Sequence, residues 1–298
     1  MRALVISGGG SKGAFAGGIA EFLMKTKGHE YDLFVGTSTG SLLIPFLANG
    51  QIDKIHDIYT SVNQRKIFSN NPFLVKHKKG QEYVSINHLN VLWQLIKGKR
   101  TFGESRNLLR TIKKNFSTDD YEKIHYKAKD VIVTVSNLTK NRTEYKSIND
   151  FSYEDFCEWI WISCNYIPFM SLVEKNGYQY ADGGFGSVVP IREAINRGAT
   201  TVDAIILESE NMDYQKVIGK NPFSLMVSLF GYLLDQIERH DITIGKLAAK
   251  NKNITLNRYY TPTKLTENSL VFNKKAMKEW WEQGYEYAKA KDGNVNLR

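Results

Sequence analysis

The chain has 298 residues, 42% of them hydrophobic and 24% charged, far too apolar for a disordered polymer and long enough for one large α/β domain or two small ones. Six prolines and 23 glycines exclude collagen-like or low-complexity character. Apolar runs such as 42–47 fall far short of the ~20 residues that span a bilayer. The net charge of +9 is uneven: residues 65–146 hold 18 Lys/Arg against 7 Asp/Glu. A basic face of that kind attracts nucleic acid, anionic lipid or acidic substrates, unless it is simply a solvated surface. The N-terminus runs from Leu4-Val5-Ile6 directly into glycines, without the roughly 7–15 apolar residues of a secretory signal, so the expected compartment is the cytoplasm.

In chain order, residues 3–6 read as a buried strand ended by glycines. Residues 14–25 carry Phe15, Ile19, Phe22 and Leu23 at helical spacing, and 31–35 form a second short strand. A helix is expected over 38–48, kinked by Pro45 or carrying it in its first turns. The basic stretch holds two amphipathic patterns. In 88–97, Leu89, Leu92, Trp93 and Ile96 share one face, and in 104–115 Leu108, Leu109 and Ile112 do. Residues 131–136 and 143–148 read as a hairpin turning at Lys140-Asn141. A helix over 151–165 stops before Pro168, and a short strand over 177–180 leads to Asp182. A helix over 191–197 is closed by Gly198, followed by a strand over 204–207. Helices over 222–244 and 274–290 flank an extended segment near 254–260. Cys157 and Cys164 lie seven positions apart on one predicted helix, ~10 Å along its axis, and are expected to be free thiols. No repeat is visible. Strands alternating with helices predict a mainly parallel sheet covered on both faces.

Three motifs carry chemistry. Gly36-Thr37-Ser38-Thr39-Gly40, between a strand and a helix, has the form of a nucleophile elbow, with Ser38 held at the sheet edge and the Thr39 amide facing a developing oxyanion. The loop Gly8-Gly9-Gly10-Ser11-Lys12-Gly13 has two readings. Gly8, Gly10 and Gly13 satisfy the dinucleotide fingerprint, but the second strand ends in the candidate nucleophile, where a ribose carboxylate should stand. Alternatively, converging glycine amides at a helix N-terminus make an oxyanion hole, in which one donor supplies ~2.7–4 kcal/mol. A phosphate-binding Walker loop is excluded, because Gly13 is followed by Ala14-Phe15. The third motif is Asp182-Gly183-Gly184, directly after a strand. A serine nucleophile needs a base. Among the six histidines only His240 completes a Ser–Asp–His order, and its place on a predicted helix beside Leu229, Leu233 and Ile237 suits a structural histidine better.

These motifs, in this order and spacing, resemble the patatin-like phospholipases: a GGGxxG-type loop with Lys12 at its fifth position, then GTS-x-G, then Asp-Gly-Gly. The resemblance extends to Ser163-Cys164-Asn165-Tyr166-Ile167-Pro168 and to the strand and turn over 176–191, and covers roughly residues 1–208. Ser187, where the family often has Asn or Asp, and Pro45 depart from it. The resemblance implies a three-layer α/β/α sandwich with a mainly parallel central sheet, in one domain over 1–298. A basic lid or membrane-facing insertion would occupy 65–127 and a helical C-terminal part 222–298. It further implies a Ser38–Asp182 dyad without histidine, metal or organic cofactor. Gly8, Gly9, Gly10 and Thr39 would supply the oxyanion donors, and Lys12, Gly13, Gly36, Gly40, Gly183 and Gly184 would support the motifs. The implied partner is a phospholipid or lysophospholipid ester, on an anionic membrane surface rather than nucleic acid. Lys76, Lys78, Lys79, Lys97, Lys99 and Arg100 flank the apolar face of 88–97 and suit such a surface, the plainer expectation being a core-packed helix with charged ends. Two other classes stay open on sequence: a nucleotide-binding protein using Gly8–Gly13, and a non-catalytic adaptor on the same fold.

Overall fold

Residues 1–78, 81–127, 129–210 and 222–295 are described by the computed structural model, so Lys79 and the side chains of Lys76 and Lys78 lie outside the description. The strands are β1 (Arg2–Ile6), β2 (Leu33–Thr37), β3 (Phe73–Lys78), β4 (Gln81–Ile86), β5 (Asp130–Asn137), β6 (Arg142–Ser147), β7 (Val173–Lys175), β8 (Tyr178–Asp182), β9 (Thr201–Ser209) and β10 (Thr255–Thr261). The helices are α1 (Gly13–Glu21), α2 (Thr39–Ala48), α3 (Ile52–Ser61), α4 (Gln64–Ile67), α5 (His88–Ile96), α6 (Arg106–Asn115), α7 (Thr118–Tyr126), α8 (Tyr153–Ser163), α9 (Ile191–Asn196), α10 (Pro222–Asn251) and α11 (Lys274–Val295).

Apolar residues on both faces of short strands make the centre. Leu4, Ile6, Phe34, Val131, Val133, Ile205 and Leu207 pack into one core with α1, α2, α3, α8 and α11. Their neighbours Ala3, Val5, Leu33, Val35, Ile132, Val202, Ala204 and Ile206 pack into a second core with α9 and α10. A period of two with apolar residues on both faces requires helices on both faces, and the three-layer α/β/α sandwich results. Among the described residues, eight strands form one sheet in the order β10-β9-β1-β2-β5-β8-β7, with β6 also on β5. β10, β9, β1, β2 and β5 run parallel, while β6 and β8 run antiparallel to β5.

The registers bring distant residues together. β2 pairs with β5 up to Thr37 opposite Thr134, and β8 pairs with β5 from Asp182 opposite Val135. β6 pairs with β5 across both stretches, so it takes one edge of β5 while β2 and β8 share the other. The end of β2 and the end of β8 therefore meet head to head.

Three expectations change. Pro45 sits well inside α2 rather than in its first turns, and the helix ends within a turn after it. The strand before Asp182 is half of a hairpin: β7 and β8 join through Asn176 and Gly177, both with positive φ. The apolar face of α5 is not packed in a core. Leu89, Leu92, Trp93 and Ile96 are 81%, 55%, 55% and 68% exposed, whereas Leu108 and Ile112 of α6 are buried. Cys157 and Cys164 are buried free thiols.

Candidate active site

β2, buried throughout, delivers Ser38 to the C-terminal edge of the parallel strands, where open α/β sheets place their sites. Ser38 has φ 53° and ψ −117°, a backbone state that costs a non-glycine residue about 1–3 kcal/mol and is held by its surroundings. Its N–H donates to Ser163 Oγ at 3.0 Å, and Ser163 Oγ in turn bonds Ser41 Oγ at 2.8 Å. The Cys164 thiol donates to the Ser38 carbonyl. The C-terminal end of α8 thus clamps the turn. Gly40 is required there because a Cβ would run into the Ile6 carbonyl of β1.

Asp182 lies where the β5 registers predict. Ser38 Oγ donates to Asp182 Oδ2 at 2.6 Å. The other carboxylate oxygen accepts the Gly184 amide at 2.8 Å, and the Asp182 amide donates to the Asn165 carbonyl at 2.9 Å. The residue is 3% exposed. Burial pushes its carboxyl up to about 7, against the smaller opposing pull of the Ser38 and Gly184 hydrogen bonds. A buried carboxylate so raised can hold a serine proton near neutral pH.

The glycine loop lies beside the serine: a Cβ on Gly8 would stand 3.5 Å from Ser38 Cβ. The Gly8 amide already donates to the Val188 carbonyl at 3.1 Å, so Gly8 shapes the loop and has no free N–H for an oxyanion. The amides of Gly9, Gly10 and Thr39 have no hydrogen-bond acceptor among the described residues. Gly10 has φ 55°, and the Ser269 carbonyl occupies the space of a Cβ, so only glycine fits. Tyr59 bonds both the Gly10 carbonyl and Thr39 Oγ1, tying the loop to the start of α2. Lys12 is 7% exposed and forms an ion pair with Glu208 near the end of β9. Gly36 and Gly183 sit at close backbone approaches around the same centre, and Gly13 leaves room for the Tyr59 and Thr39 side chains.

Sequence reasoning missed Asp241 of α10. Its Oδ2 accepts the Val189 amide at 2.9 Å and Ser187 Oγ at 3.2 Å. The same turn receives the Gly8 amide on Val188 and Thr37 Oγ1 on the Ser187 carbonyl at 3.0 Å. One aspartate therefore anchors the turn that holds both the glycine loop and the end of β2. No local signal marks it, and its neighbour His240 is exposed. Among the described residues no group of three or more His, Cys, Asp or Glu is placed to hold a metal ion. None of the described helices is long and apolar enough to cross a membrane.

The chain is 24% identical over 221 residues to the uncharacterized protein YjjU of Escherichia coli K12, covering 71% of this chain and 53% of that protein, so it spans about half the length of that curated relative. Its fold is similar to the crystal structure of VipD from Legionella pneumophila, with a TM-score of 0.53 at 15% identity, over 97% of this chain and 67% of that one. The sequence pattern of the patatin-like phospholipases matches residues 4–195. The Gly8–Gly13 loop, the Ser38 elbow and Asp182 all fall inside that stretch, and the chain belongs to the patatin-like phospholipase family.

Proposed function

We propose that the protein is a lipid acyl hydrolase that cleaves carboxylic esters of phospholipids or lysophospholipids through a Ser38–Asp182 dyad. The observation that carries this reading is the 2.6 Å hydrogen bond from Ser38 Oγ to a carboxylate buried deeply enough to act as a base. Asp182 takes the Ser38 proton as Oγ attacks the ester carbonyl carbon. The amides of Gly9, Gly10 and Thr39 receive the oxyanion, at the N-terminal ends of short helices whose dipoles favour negative charge. The tetrahedral adduct collapses to acyl-Ser38, and Asp182 returns the proton to the departing alcohol. Asp182 then takes a proton from water as the water oxygen attacks the acyl carbon, and the second tetrahedral adduct collapses to the fatty acid while Asp182 returns that proton to the departing Ser38 Oγ. Every group the cycle uses is on this chain. The protein works in the cytoplasm, peripherally at an anionic membrane surface.

The test is turnover of a medium-chain p-nitrophenyl ester by Ser38→Ala and Asp182→Asn. Each should fall at least about a thousandfold, the scale on which removal of one member of such a unit is felt. Unchanged turnover in either variant refutes the dyad. A fluorophosphonate probe that labels the parent protein but not Ser38→Ala separates an enzyme from an inert adaptor on the same fold.

A further inference from the structure

α5 is amphipathic the wrong way round for a helix of a water-soluble surface. Its buried side is polar: Gln94 is 2% exposed, and Asn90 Nδ2 donates to the Asn71 carbonyl at 3.1 Å, while Asn87 caps the helix's own first turn. Its apolar side chains point away. Leu95 is 52% exposed, alongside Leu89, Leu92, Trp93 and Ile96. Burying one such side chain is worth about 1.5–3 kcal/mol, a stabilisation this fold leaves unrealised five times within three turns.

Cations lie at the C-terminal end of that face. Lys97 Nζ lies 4.8 Å from the centre of the Trp93 ring. Immediately beyond it a groove of about 680 Å³ opens, lined by Lys99, Arg100, Arg106, Arg110, Trp161 and Lys175 among others. Lys99 pairs with Glu104, Arg100 with Glu174, and Lys175 with Asp155 and Glu158. Arg106 and Arg110 are exposed and pair with no carboxylate among the described residues. A chain of hydrogen bonds runs from the groove to the backbone of Asp182. Trp161 Nε1 donates to Ser105 Oγ at 3.0 Å, Ser105 Oγ bonds Asn165 Oδ1, and the Asn165 carbonyl receives the Asp182 amide.

We propose that α5 and this groove together dock the protein on an anionic phospholipid bilayer, the apolar face of α5 entering the acyl boundary while Arg106 and Arg110 take a lipid phosphate. The inference deepens the lipid-hydrolase reading and rests on it for its purpose. The charge complementarity fixes the occupant. An apolar face with a basic rim matches acyl chains beneath phosphates. A nucleic acid would use the arginines and leave five large apolar side chains in water.

The experiment uses Ser38→Ala protein, so that vesicles are not consumed, and sedimentation with vesicles of phosphatidylcholine alone or mixed with phosphatidylglycerol. The protein should pellet with the mixed vesicles, less with the neutral ones, and progressively less as salt is added. Leu92→Glu combined with Trp93→Glu should abolish pelleting. Arg106→Gln combined with Arg110→Gln should weaken binding to mixed vesicles about thirtyfold, at ~1 kcal/mol per basic residue near the surface. Failure to pellet with mixed vesicles overturns the proposal, as does binding that neither variant pair alters. A concentration-dependent dimer dissolved by the Leu92/Trp93 pair would assign the face to a second copy and also overturn it. Failure of the dyad reads out separately, as ester turnover that survives Ser38→Ala.

Discussion

At the scale of single residues, the site depends on one displaced proton affinity. An aspartate with an ordinary pKa of ~3.9 is a feeble base toward a serine hydroxyl, and a general base works best when its pKa lies near the operating pH. Asp182 reaches about 7 because it is buried, in a position where no cation faces it closely enough to reverse that. Only the ionised carboxylate can accept the Ser38 proton. The kcat/KM for a soluble ester should therefore rise about tenfold per pH unit on the acid side and level off above about pH 7. A profile flat from pH 5 upward would mean that the carboxylate titrates in the normal range, and the burial account would fail. The strained Ser38 backbone belongs to the same economy of means. Its cost is met by hydrogen bonds from the end of α8, and it aims Oγ at a carboxylate 144 positions away in sequence.

At the scale of elements, the Ser38–Asp182 contact is assembled by strand register, and α10 anchors the turn beside it. Because Asp241 holds the 187–189 turn, and that turn holds Gly8 and Thr37, loss of the carboxylate should move the oxyanion loop relative to Ser38. Asp241→Ala is expected to lower kcat about tenfold or more while KM stays nearly constant, and Asp241→Asn should recover most of it, because an amide oxygen still accepts the Val189 N–H. An Asp241→Ala enzyme with normal kcat would remove α10 from the mechanism. These dependences divide what the sequence makes legible. Ser38, Asp182 and the glycine loop stand out because close backbone approach can be met only by glycine, and the requirement is written locally. The alternation of strands and helices shows for a similar reason, since each apolar run records its own two faces. Asp241 and the Lys12–Glu208 pair do not show, because their partners are fixed by topology and lie 52–54 and 196 positions away. β7 is three residues long and has no pattern of its own; the Asn176–Gly177 turn and pairing with β8 create it. The spacing in 88–97 announces an apolar face without telling whether anything covers it, and here nothing in the described protein does.

For the molecule as a whole, the carboxylates behind the site set stability against activity. Glu238, 8% exposed, is pushed up to about 8, first by burial and then by the charge of Glu208, with Lys12 opposing and Asp235 and Asp241 adding to the rise. Asp241 is pushed up to about 6 by burial, its Val189, Val188 and Ser187 hydrogen bonds and nearby His240 opposing. With Asp182 at about 7, the folded protein retains protons that the unfolded chain loses near its ordinary carboxylate values. The unfolded state binds fewer protons through that window, so the free energy of unfolding falls as pH rises. His29 acts in the opposite direction, because burial lowers its pKa, but its contribution is complete once its unfolded value of 6.5 is passed. Asp120 and Glu144, each held at about 2, are ionised throughout. The melting temperature should therefore drop between pH 6.5 and 8.5, the interval in which ester hydrolysis approaches its plateau. Across the window the proton retained by Glu238 is worth about 2 kcal/mol, that of Asp182 about 1 kcal/mol and that of Asp241 little, together several degrees in a chain of this size. Glu238→Gln should flatten the decline while leaving the ester pH profile centred near 7, and Asp182→Asn should flatten it while abolishing turnover. Differential scanning calorimetry of the three proteins at the two pH values decides the matter. A melting temperature that rises with pH in the parent protein would mean that these carboxylates are ionised in the folded state without penalty, and that Asp182 lacks the basicity its burial provides.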